Sequence, residues 1–141
     1  MAKPSSVRNL GAVVLVVAFP VAVAWVIGDL STTDDPRPDY AIRPPDIPPA
    51  MEHALGAFSL VAVVASTAAL VWAWRREPPR PGWLSVLVPL VVAGAIAGLG
   101  WRVMTAGVIG ANIGAGLTVL FGTPVVIALI ILACVSAWRR R

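Results

Sequence analysis

The chain has one cysteine, Cys134, one histidine, His53, one tyrosine, Tyr40, and one lysine, Lys3. A lone cysteine excludes an internal disulfide and any centre built on paired thiols. A lone histidine excludes a multi-histidine metal site. There is no Walker-type phosphate loop, and no serine stands in a nucleophile elbow. No cofactor is therefore expected. Charge is also scarce, at 13% of residues, against roughly 25% in a soluble domain. A chain of 141 residues with so few charges cannot cover a globule with polar surface. The membrane is the solvent that such a composition fits.

Apolar sequence is what the chain has in quantity. Hydrophobic residues make up 58% of it, gathered into four runs. These extend from Leu10 to Gly28, from Ala54 to Trp74, from Trp83 to about Val103 and from Ile113 to Trp138. A hydrocarbon core about 30 Å thick needs about 20 helical residues. The runs do not alternate and are too long for barrel strands. The expected fold is an all-α integral membrane protein, a four-transmembrane-helix bundle forming a single membrane domain.

The charges orient this bundle. Lys3 and Arg8 precede the first run, Arg75, Arg76 and Arg80 follow the second, and Arg139, Arg140 and Arg141 follow the fourth. With four crossings, these eight of the eleven basic residues share one side. Asp29, Asp34, Asp35, Asp39, Asp46 and Glu52, six of the seven acids, share the other with Arg37, Arg43 and Arg102. Basic short loops stay in the cytoplasm, so both termini are expected there, in the plasma (inner) membrane. The abundance of Arg, Ala, Val, Gly and Pro suits a high-GC bacterial genome. The basic side also accounts for the pI of 10.6, because it faces anionic headgroups. The expected partner is the lipid bilayer rather than nucleic acid.

Trp25, Trp72, Trp74, Trp83, Trp101 and Trp138 all fall near run ends, where an indole is half buried at the headgroups. The start of the chain also has features of a cleavable leader: a basic segment, an apolar stretch, Pro20, then Ala22 and Ala24. The run continues to Gly28, which favours a retained span kinked at Pro20.

The outer loop, 29–52, holds six prolines between Pro36 and Pro49. It is expected to be an extended spacer, or else a recognition strip with Tyr40 as its anchor. The short inner loop, 75–82, predicts that spans two and three are antiparallel neighbours. No acid lies mid-span, where proton-coupled export would need one. A polar group does collect near the outer face. Glu52 and His53 open the second span, Arg102 ends the third, and Asn112 stands at the start of the fourth. Ionisable groups at membrane depth mark functional sites, and Glu52 is the expected partner of Arg102, with Asp29 second. Each also has a structural role open to it. Glu52 suits a helix N-terminus, His53 suits the headgroups, and Arg102 can snorkel beside Trp101. Cys134 is expected to be a small packing residue.

Residues 98–122 hold seven of the twelve glycines. Small residues let helix backbones approach in lipid. Gly94 and Gly98 have the spacing of one such face, and Ala106, Gly110, Gly114, Thr118 and Gly122 continue at four-residue intervals. Gly107, Ala111 and Ala115 flank this stripe. Val103 to Trp138 is too long for one crossing, so a turn must fall within 104–112. A surface turn around Thr105 to Gly107 is favoured over an embedded connection that Asn112 would help to satisfy. Pro124 should kink the fourth span, with Thr123 relieving the freed carbonyl.

The function these features favour is a non-enzymatic accessory, scaffold or assembly subunit. It would pack through its glycine faces as a homo-oligomer or within a larger membrane-protein complex. The alternative is a small-solute transporter or channel acting as an oligomer. A lipid-directed enzyme using Glu52 and His53 is disfavoured, because adjacent helical positions diverge by about 100°.

Overall fold

The computed structural model describes residues 3–32, 38–78 and 81–139. The described residues form an all-helical chain with four helices long and apolar enough to cross a membrane, the arrangement of a multi-pass membrane protein. Helix α1 is Pro4–Ile27, α2 is Pro49–Arg76, α3 is Leu84–Thr105, and α4 is Ala111–Trp138. Asp34, Asp35, Arg37, Arg80, Arg140 and Arg141, used in the charge argument, lie outside the described residues.

Local chemistry sets the helix ends. Pro4 and Pro49 open α1 and α2, where a missing N–H costs nothing. Helix α1 therefore begins six residues before its apolar run and includes Arg8. Gly28, at φ 75°, turns the chain out of α1 while its N–H donates to Ala24 O and Trp25 O. Glu52 lies in the first turn of α2, and Arg75 and Arg76 lie in its last, so both ends match the helix dipole. Arg76 also sits over the Trp72 ring, 5.9 Å from its centroid.

Pro124 cannot donate to the α-helical ladder. The chain meets this deficit just upstream, with a π-helical turn over Thr118–Gly122 in which Thr123 N–H donates to Thr118 O. Insertions of this kind are a recognised response to a break in the ladder. The side chain that bonds back to the helix is Thr118 Oγ1, to Gly114 O at 2.9 Å.

The four helices lie in an open row, α2–α1–α3–α4, rather than in a closed bundle. The central pair, α1 and α3, is parallel, and the outer helices run antiparallel to them. Spans two and three are thus not neighbours, contrary to expectation, because α1 stands between them. Arg8 Nη1, on the first turns of α1, donates at 3.4 Å to Glu77 O, just past the end of α2.

Small residues line the contacts. Ala22, Ala24, Ala73, Ala93 and Ala133 are buried, and among the described residues Leu15 and Leu70 are the only large aliphatic side chains that are buried. Large apolar side chains such as Phe58 and Ile113 face outward. Gly94 and Gly98 receive α1 at Pro20: a Cβ on Gly94 would lie 3.3 Å from Pro20 Cδ, and one on Gly98 would meet Pro20 O. Between α1 and α2, Gly11 faces Leu70, and Gly56 lies against the Trp25 indole.

The glycine stripe is shorter than its spacing implied. Ala106 and Gly110 are not on a helix but in the 106–110 connection, where Gly110 takes φ 80°. On α4, Gly114 faces Val103, Gly122 lies near Ile96, and Thr118 Cγ2 meets Gly100, all towards α3.

The proline-rich loop is not a free spacer. Its described residues run across the 106–110 connection and satisfy its backbone. Thr32 N–H donates to Gly107 O at 3.1 Å, Ile42 N–H to Met104 O at 3.0 Å, and Val108 N–H to Asp39 O at 3.2 Å. Gly107 N–H donates to Ser31 Oγ at 2.8 Å. The covering that a glycine-rich connection needs thus comes from this loop, not from Asn112, which is exposed. Tyr40 lies over Gly107, where an added Cβ would stand 2.8 Å from its ring. Gly107→Val is therefore expected to lift Tyr40 and loosen the loop. A contact worth about 1 kcal/mol changes the open population about fivefold, so limited proteolysis within 38–48 should quicken by about that factor. An unchanged rate would mean that Tyr40 does not hold the loop.

Candidate functional site

Arg102 stands one turn before the end of α3, at the level where α1 ends and α2 begins. Its Nε donates to Ala24 O, a carbonyl of the last turn of α1. Its Nη2 donates to Glu52 Oε1 at 2.8 Å. The cation thus meets the negative end of one helix and an acid at the positive end of another, both favourable placements. One side chain ties three helices together. Because the backbones of α2 and α3 do not approach each other, the Arg102–Glu52 pair bridges a gap.

That gap is a cleft of about 310 Å³. Trp25 and Trp101 contribute to its walls, and Pro44, Pro45 and Ile47 of the loop border it. Among the described residues its ionisable lining is Asp29, Glu52 and Arg102, formally one positive and two negative charges. Asp29 Oδ1 accepts from Ser31 N–H at 2.9 Å and from Ser31 Oγ at 2.7 Å. Those two bonds, with a smaller contribution from the Arg102 charge, hold the Asp29 carboxyl below its ordinary range. Asp29 is therefore ionised at neutral pH. Ser31 Oγ also receives Gly107 N–H, which links the cleft to the 106–110 connection.

The sequence-predicted polar residues do not all meet. Glu52 and Arg102 do. His53 and Asn112 are exposed and do not line the cleft. Tyr40 packs on the connection beside it. The helix-packing residues Gly94 and Gly98 lie further along α3, beneath the cleft, at the Pro20 contact. Sequence reasoning did not find the Ala24 carbonyl, Ser31, Trp25 against Gly56, or the Pro44–Pro45 border. Pro-Pro beside an acid-rich loop was a visible signal, but a carbonyl ligand has none.

A second cleft, of about 510 Å³, opens at the other end of the α1–α3 contact. Val13 and Val17 of α1 and Leu87 and Leu90 of α3 line it, with Asn9 and Trp83 at its end. Pro20 against Gly94 and Gly98 separates the two.

No family model, curated protein or solved structure matches the chain.

Proposed function

We propose that the chain is a four-span protein of the bacterial plasma membrane with both termini in the cytoplasm, and that it acts without catalysis as an accessory, scaffold or assembly subunit. The outward-facing large apolar side chains support a lipid surround. The charges support the orientation. Lys3, Arg8, Arg75, Arg76 and Arg139 lie at one end of the row, and Asp29, Asp39, Asp46 and Glu52 at the other.

The observation that carries the assembly role is the open row itself. Among the described elements helix α4 packs on α3 alone, and only 6% of its most apolar stretch is buried. Gly94, Gly98 and Gly114 are occupied within the chain, so association is assigned to the outer face of α4 rather than to the glycines. Cys134 is exposed on this helix and serves as a natural reporter. Bismaleimide treatment of native membranes is expected to give a product at about twice the 14.7 kDa chain mass, or an adduct to a different subunit. A chain that stays monomeric both in this test and on sizing in mild detergent would remove the proposal.

The two clefts on either side of Pro20 favour a second reading, a small-solute carrier. Solute flux in proteoliposomes that depends on Arg102 would replace the first reading with this one.

A further inference from the structure

We propose that the cleft under Pro44 and Pro45 binds a zwitterion, an ammonium group joined through a short carbon linker to a phosphate or similar anion. Hydrogen-bonding capacity remains there. Arg102 directs Nε to Ala24 O and Nη2 to Glu52. The guanidinium carries five N–H donors in a planar fork, and its Nη1 group has no acceptor among the described residues. Glu52 uses Oε1, which leaves its second oxygen without a donor among the described residues, and the Asp29 carboxylate, which takes two bonds from Ser31 and the Leu30 backbone N–H, keeps room for a further donor. The same cleft thus offers cationic donors and anionic acceptors.

A simple anion would meet Arg102 but also two carboxylates. A simple cation would meet the carboxylates but also Arg102. A zwitterion satisfies both sets, its anion on Arg102 Nη1 and its ammonium on Asp29 and Glu52. Charge-assisted bonds of this kind are the stronger ones. Trp25 and Trp101 also line the cleft, and indoles attract alkylammonium groups. The volume, about 310 Å³, lies at the lower end of the range for small-molecule sites.

Two sources carry this chemistry: the headgroup of phosphatidylethanolamine and a free zwitterion of the aqueous phase. The choice between them rests on the four-span reading, which sets the two indoles at headgroup depth. The ligand chemistry does not rest on it.

The test is isothermal titration of the full chain in detergent with three probes: short-chain phosphatidylethanolamine, short-chain phosphatidylglycerol and O-phosphoethanolamine. The Asp29→Asn variant is run in parallel. Asparagine keeps the Oδ1 acceptor for Ser31, so the loop is preserved while the charge is lost. Saturable binding of phosphatidylethanolamine is expected, with phosphatidylglycerol at least about tenfold weaker and Asp29→Asn weakening it about tenfold, the scale of one hydrogen bond to a charged group. O-Phosphoethanolamine binding as tightly as the lipid, and equally sensitive to Asp29→Asn, would support the site and assign it to a soluble zwitterion. Equal binding of the two lipids, indifference to Asp29→Asn, or no saturable binding of any probe would overturn the proposal. None of these outcomes depends on the Cys134 crosslink, so the site and the assembly role fail separately.

Discussion

Gly98→Leu is expected to lower the stability of the folded chain in detergent by about 1–3 kcal/mol, the usual cost of overpacking a close contact. The reason is the crossing of α1 and α3. A Cβ at position 98 would run into the Pro20 carbonyl oxygen and stand 3.0 Å from Val23 Cβ and 3.1 Å from Val23 Cγ1. Backbone cannot swing aside as a side-chain tip can, so the helices must part. In an apolar surround, that close approach is much of what holds a helix pair together. Gly116→Leu is the matched control, because a Cβ there meets nothing within 4 Å. It should change stability by less than about 0.5 kcal/mol. Reversible unfolding in mixed micelles measures both. Equal losses for the two variants would refute the role of the Pro20 crossing.

Arg102→Ala is expected to cost about 2 kcal/mol. Removing one partner of a fully buried ion pair costs about 3–5 kcal/mol, whereas exposed pairs contribute less than about 1 kcal/mol. Arg102 is 15% exposed and Glu52 42%, which places this pair between those limits. The loss includes the donor to Ala24 O, so it should exceed that of Glu52→Gln. A double-mutant cycle with Glu52→Gln should return a coupling of about 1 kcal/mol. Additive losses would show that the two side chains stabilise the fold independently and that the bridge across the α2–α3 gap is incidental.

The Arg102–Glu52 contact was legible before the fold was known. Few ionisable residues fall near the apolar runs, and charges at a common depth must find each other. The rest of the cleft was not legible. Trp25 against Gly56 joins residues 31 apart in sequence, and Asp39 to Val108 joins residues 69 apart. Neither pair leaves a mark in local periodicity. Gly110 shows the opposite failure. Its four-residue spacing matched a helix face, yet its φ of 80° places it in a turn. Spacing shows where a residue would lie on a helix, not whether the helix extends that far. The glycines at 11 and 56 belong to no repeat, although they pack α1 on α2.

The number of helices and the place of each along the chain follow from the amino-acid order alone, because a contiguous apolar run bounded by proline, glycine and charge is a local property. The row order α2–α1–α3–α4 is not local. Helices that are apolar on every side carry no stripe to show which face turns inward. Neighbours are instead chosen by where a glycine lets another helix come close, at Gly94 and Gly98 on Pro20 and at Gly56 on the Trp25 indole. Those fits between distant segments exist only once the chain has folded.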